Sequence, residues 1–164
     1  MRPARTLVLL AFVLSLAGGC GFRLRGTVDI PPDLSPLYVE AAPGSLVREA
    51  IEAQLRGGPV ALAGKAADAK LILRLQGERR SSRVVATNNA GKVLAYDLHF
   101  SLTYEATTAG GVQKLSPQPL DLVRTFDNPD VEVLGKQLEE EQIYRELAVD
   151  AADRILMRLR TLLL

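Results

Sequence analysis

The residues of this sequence equipped for chemistry are few, and they fall into three groups. Between Arg74 and Lys92 the chain carries Arg74, Arg79, Arg80, Arg83 and Lys92 against one acid, Glu78, a local excess of four positive charges. Guanidinium groups on an exposed hairpin suit two-pronged contact with phosphates or carboxylates. The same charges also keep a long strand edge from pairing with other chains, and both readings stand. The second group is His99, the one histidine, with Asp97 and Ser101 two residues to either side. Those are the residue types of a hydrolytic triad, but alternating polar residues on a solvated strand face give the same pattern, and no glycine elbow presents a serine. The third is Cys20, the only cysteine, which leaves no partner for an intrachain disulfide and, with a single histidine, no zinc ligand set. Gly57-Gly58 and Gly110-Gly111 lack the flanks of a phosphate loop, and Glu139 to Glu141 read as a solvated helix face. Neither an enzyme nor a bound cofactor is expected.

The sequence in front of Cys20 gives that thiol its role. Arg2 and Arg5 precede an unbroken apolar run from Leu7 to Leu14 that continues through Leu16 and Ala17 to the small pair Gly18-Gly19. This is a charged start, a short apolar stretch and a small-residue cleavage site. At about ten residues the stretch is half the roughly 20 needed to span a bilayer, so residues 1–19 are read as a signal peptide that is removed. Leu16-Ala17-Gly18-Gly19-Cys20 resembles the bacterial lipobox, in which the cysteine receives a diacylglyceryl group and becomes the first residue of the mature chain. Ala17 holds the place three before the cysteine where a larger apolar residue is usual. Several acyl chains, at about 0.8 kcal/mol per buried methylene, make such an anchor effectively permanent. Gly21 follows where an aspartate would retain the protein at the inner membrane, which favours the outer one.

Removing 19 residues from 164 leaves 145, a single-domain length able to bury a core. The signal takes two of the 20 basic residues and none of the 19 acidic ones, so the mature chain has 18 against 19 and gives no reason to expect nucleic acid, which the compartment also excludes. Residues 20–36, with Gly21, Gly26, Pro31, Pro32 and Pro36, read as a lipidated N-terminus and tether, and residues 37–164 as one domain.

Within that domain a short strand at Leu37–Ala41 precedes a helix capped by Ser45, with Leu46, Val47, Ala50, Ile51 and Leu55 on one face, ended by Gly57-Gly58-Pro59. Leu71, Leu73 and Leu75 then alternate with polar residues as a second strand, whose continuation from Glu78 to Thr87 is too polar to bury and ends in the turn cluster Asn88-Asn89-Ala90-Gly91. Leu94, Tyr96, Leu98, Phe100, Leu102 and Tyr104 form the apolar face of a third strand, paired back through that turn as an extended hairpin. A turn at Ala109-Gly110-Gly111 leads to a fourth strand from Leu120 to Phe126, with Pro117 and Pro119 confining its start to an edge or an entry point. After Asp127-Asn128-Pro129 a long helix begins near Val131 to Gly135; Ile143, Leu147, Ala151, Ile155 and Leu159 recur every four residues, and Leu138, Leu156, Leu162 and Leu163 widen the stripe. The expected fold is an α+β two-layer sandwich: a four-stranded sheet with an extended hairpin and both helices packed on one face.

Two stretches carry a resemblance to a known family. Cys20-Gly21-Phe22-Arg23-Leu24-Arg25 at the mature N-terminus, and Arg124-Thr125-Phe126-Asp127-Asn128-Pro129 followed by Leu134-Gly135-Lys136, resemble the LptE family of lipopolysaccharide-assembly lipoproteins. The resemblance implies an outer-membrane lipoprotein, held on the periplasmic side by its acyl chains, that plugs an LptD-type β-barrel, assists its assembly and helps place lipopolysaccharide in the outer leaflet. It also implies lipopolysaccharide contact at Lys136 and at the hairpin tip, where Asn88 and Asn89 stand in place of the family's arginine and Lys92 is the nearby cation. Arg79, Arg80 and Arg83 extend that candidate set. The alternative is an envelope scaffold lipoprotein that binds another protein through its basic hairpin.

Overall fold

The computed structural model describes residues 30–127 and 133–163. The signal, Cys20, the first part of the tether and the Asn128-Pro129 break lie outside the described residues. Four strands, β1 (Leu37–Glu40), β2 (Leu71–Thr87), β3 (Val93–Thr108) and β4 (Gln113–Asp127), form one sheet in the order β1-β2-β3-β4. β2, β3 and β4 meander antiparallel, while β1 runs parallel to β2. A parallel neighbour needs a crossover, and α1 (Leu46–Leu55) supplies it; α2 (Val133–Leu163) follows β4.

Both helices bury their apolar stripes against one face of the sheet. Val47, Ile51 and Leu55 from α1, with Leu147, Ala151, Ile155 and Leu159 from α2, close over Leu37, Leu71, Leu73, Leu98, Phe100 and Leu102, all essentially inaccessible to water. Ala148, Ala151 and Ala152 are fully buried, so α2 carries little side-chain bulk where it packs. Ile30 and Leu34, two residues of the expected tether, also pack into this core. Ser45 caps α1, its hydroxyl accepting from the Arg48 N–H at 3.1 Å, and Gly57 takes the left-handed conformation (φ +77°) that ends the helix.

Several expectations are corrected. β4 begins at Gln113, seven residues before Leu120, and contains Pro117 and Pro119; as the outer strand of the sheet it has one side whose N–H groups are not required by a neighbour. Leu94 is 45% exposed, and Ala95 is buried in its place. The cause is a register shift: Ala86 pairs with Ala95 but Thr87 with Val93, so Leu94 is an extra residue that reverses the alternation. Leu138 and Leu162, expected to widen the stripe of α2, are 63% and 44% exposed. Each lies near an end of the helix.

Candidate functional site: the basic end of the sheet

The hairpin turn is built by one side chain. The Asn88 Oδ1 accepts from the N–H groups of Ala90 and Lys92, both at 2.9 Å, while Asn88 and Lys92 close the strands through a main-chain bond of 2.9 Å. Gly91, at φ +76°, supplies the left-handed position such a turn needs. Lys92 therefore sits where the turn re-enters β3, its backbone fixed and its side chain at the end of the sheet.

A glycine decides where the arginines point. Between Gln76, paired with Thr103, and Arg79, paired with Ser101, β2 carries one residue more than β3, and Gly77 adopts φ +66° there. This is a bulge with glycine in the left-handed position. Up to Leu75 the odd-numbered residues of β2 face the helices; beyond the bulge the even-numbered ones do, because Arg80 lies opposite Phe100 and Ser82 opposite Leu98. The run that is continuous in sequence is thus divided. Arg80 turns to the helix side, its guanidinium 5.6 Å from the centre of the Tyr144 ring, while Arg79 and Arg83 project from the bare face. Arg83 approaches Asp97 only to 3.9 Å and is 72% exposed. Arg74 is spent on structure: it bridges Glu40 at 2.7 Å and Glu105 at 2.9 Å across three strands.

α2 brings Lys136 to the same end. The Tyr144 hydroxyl donates to the Ser81 carbonyl at 3.0 Å, and burial raises its pKa above the usual tyrosine value, with Glu140 adding to the rise and Arg80 opposing it. Lys136 lies eight residues earlier, about 12 Å further along the axis at 1.5 Å per residue, in the direction of the hairpin turn. Among the described residues it forms no ion pair. Of the expected lipopolysaccharide-contact residues, Lys92 at the turn and Lys136 near the start of α2 thus lie toward one end of the molecule; Arg80, opposite Phe100, stands midway along β2 on the helix side, and Arg79 and Arg83 are on the opposite face of the same strand.

His99 does not join a catalytic constellation. Its Nδ1 faces the Asp121 carboxylate at 3.8 Å, the Asp97 Oδ1 accepts from the Thr125 hydroxyl at 2.9 Å, and Ser101 bonds to neither. Among the described residues there is no cluster of three metal-ligating side chains, and no helix is long and apolar enough to cross a membrane.

Two positioning groups escaped the sequence. Arg124 bonds both Glu146 and Asp150 (3.3 Å) of α2, tying the edge strand to the helix; its place between Leu122 and Phe126, on the inward side of β4, was the available signal. Glu78, beside the bulge, accepts from the Ser45 hydroxyl at 2.6 Å and the Leu46 N–H at 3.1 Å, joining β2 to the start of α1. Nothing in its local sequence marks it, because the partners lie more than 30 residues away.

The fold is a small mixed sheet with two helices packed on one face and cations on its hairpin and on the start of the long helix. Residues 34–159 match the model of the LptE family, described as lipopolysaccharide-assembly, and the chain belongs to that family. The LPS-assembly lipoprotein LptE of Yersinia enterocolitica is 30% identical over 162 residues, covering 97% of this chain and 77% of that one. Its counterpart in Pectobacterium atrosepticum is 27% identical, covering 99% and 88%. The solution structure of lipoprotein B from Nitrosomonas europaea superposes with a TM-score of 0.67 at 25% identity, over 83% of this chain and 88% of that one. The chain's role is accordingly in lipopolysaccharide assembly, as the resemblance implied, and the envelope-scaffold alternative is not favoured.

Proposed function

We propose that this chain, anchored by acylated Cys20 on the periplasmic side of the outer membrane, plugs an LptD-type β-barrel, assists its assembly and presents lipopolysaccharide to it. The observation that supports the lipopolysaccharide part is that two separate elements, the hairpin turn with Lys92 and the start of α2 with Lys136, carry cations toward one end of the sheet, with Arg80 further back on the helix side. Cations of this kind meet phosphate groups, with the helix supplying one and the hairpin the others. Arg79 and Arg83 stand on the far face and belong to the outlying part of the candidate set. The plug assignment rests on family membership and on the fold's size, a single two-layer domain with a polar bare face suited to the polar lumen of a barrel. The protein acts by binding and positioning, without a chemical step.

Binding of purified lipopolysaccharide to the full-length protein in detergent tests this reading. Lys136→Glu should weaken binding by roughly tenfold, since a charge-assisted contact is worth about 1.5–3 kcal/mol, while leaving the unfolding temperature within about 2 °C, as expected of a surface change. Unchanged affinity in Lys136→Glu and in Arg80→Glu alike would remove the basic end from the site.

A further inference from the structure

β1 pairs with β2 only from Leu71 to Arg74, so among the described residues no strand covers the edge of β2 from Leu75 to Thr87. On the helix side that edge borders a cleft. A cavity of about 330 Å³ touches Ser45, Leu75, Gly77 and Glu78, and another of about 490 Å³ lies between Ser81 and Ser82 on one bank and Gln137, Glu140 and Tyr144 on the other; the two meet at Arg80. Glu78 closes the inner end by capping α1. An open strand edge beside a groove walled by a helix is the geometry that takes up an extended peptide as an added strand, with main-chain bonds giving affinity and alternate side chains giving specificity. The Ser81 carbonyl, which carries the Tyr144 hydroxyl, keeps a second lone pair for such a bond.

Charge selects the occupant. Arg79 and Arg83 stand four residues apart on the same face of β2, Arg79 without an ion pair among the described residues and Arg83 only loosely paired. A second copy added antiparallel about Ser81 would set Arg79 against Arg83 twice over, and like charges directly opposite destabilise a sheet. The chain's own N-terminal stretch carries Arg23 and Arg25 and meets the same repulsion. On the groove side Glu140 and Glu141 offset Arg80, which suits small neutral side chains. We propose that the free edge of β2 from Arg79 to Val84 takes up an extended segment of a protein partner, with carboxylates four residues apart facing Arg79 and Arg83. This assignment does not depend on the barrel or lipopolysaccharide reading.

The test uses the isotope-labelled full-length protein in detergent and a nine-residue peptide of threonine and valine with glutamates at its third and seventh positions. The peptide is expected to shift the amide resonances of β2 from Arg79 to Val84 and to slow the hydrogen exchange of those that point away from β3. Arg79→Glu with Arg83→Glu should weaken it by roughly tenfold, two cross-strand pairs being worth about 0.2–1 kcal/mol each. The same peptide with lysines in place of the glutamates should bind the double variant better than it binds the unaltered protein, which a misfolded variant would not do. Shifts confined to β4, affinity indifferent to both charge reversals, or no binding would each overturn the proposal. So would protection, already in the free protein, of those amides from 79 to 84 that point away from β3, which assigns the edge to the chain itself, or self-association broadening them, which assigns it to a second copy. Lipopolysaccharide binding, read in parallel, fails or survives independently.

Discussion

At the scale of single residues, the motif Arg124-Thr125-Phe126 is a structural clasp. Phe126 is buried, Thr125 donates to Asp97 across the β3–β4 ladder, and Arg124 reaches over the edge of the sheet to Glu146 and Asp150. The hydrogen bond from Gln142, then that from Arg124, holds the Glu146 carboxyl below its ordinary value of 4.5. A carboxyl with a depressed folded-state pKa contributes stability that is fully present above the unfolded value and lost as pH falls through the folded one. The clasp should therefore be complete at neutral pH and weaken below about pH 4.5, the ordinary value. Because all three side chains are more than a third exposed, solvent screens them, and Arg124→Ala should lower stability only slightly at neutral pH. Urea unfolding at pH 7 and pH 3 checks both: the variant and the parent should differ at pH 7 and converge at pH 3. A difference that grows on acidification would contradict the pairing.

At the scale of elements, the periodicities of two and of 3.6 residues made most of the fold legible. The alternation of Leu98, Phe100, Leu102 and Tyr104, and the four-residue recurrence of Leu147, Ala151, Ile155 and Leu159, each identify a buried stripe that the structure retains. What escaped was every place where a strand gains a residue. A bulge shifts the inward parity without altering the composition around it, so Leu94 was assigned to the wrong face and the arginines of β2 were read as one patch. Gly77 was the available clue, as an isolated glycine inside a strand pattern. A Cβ at Gly77 would meet nothing within 4 Å, so its requirement is purely conformational. Gly77→Ala should cost about 1–2 kcal/mol, the penalty of holding an L-residue in the left-handed region, and Gly77→Asn less, since asparagine tolerates that region better. Thermal unfolding of the two variants measures this; equal stability of parent and Gly77→Ala would mean the bulge relaxes without cost.

At the scale of the molecule, the domain is polarised. One end holds the parallel β1 contact and the well-packed ends of both helices; the other holds the turn with Lys92 and the start of α2 with Lys136, while Arg80 lies midway along β2. The site was partly legible in the sequence as an excess of positive charge, but its assembly was not, because Lys136 lies more than 40 residues beyond Lys92 and only the long helix folding back over the sheet brings them to one end. The bare face of the sheet keeps its ionic bridges, Arg74 with Glu40 and Glu105, on the polar side where a barrel lumen would meet them. The proposed anchoring through Cys20 would fix the domain's distance from the membrane, and the barrel would hold most of its surface.

Whether the barrel holds the domain is read out by isolating the protein from outer membranes in mild detergent. The mature chain should come away in stoichiometric complex with a large LptD-type β-barrel; recovery as a free lipoprotein, with the barrel intact in a separate fraction, would show that the barrel does not hold it.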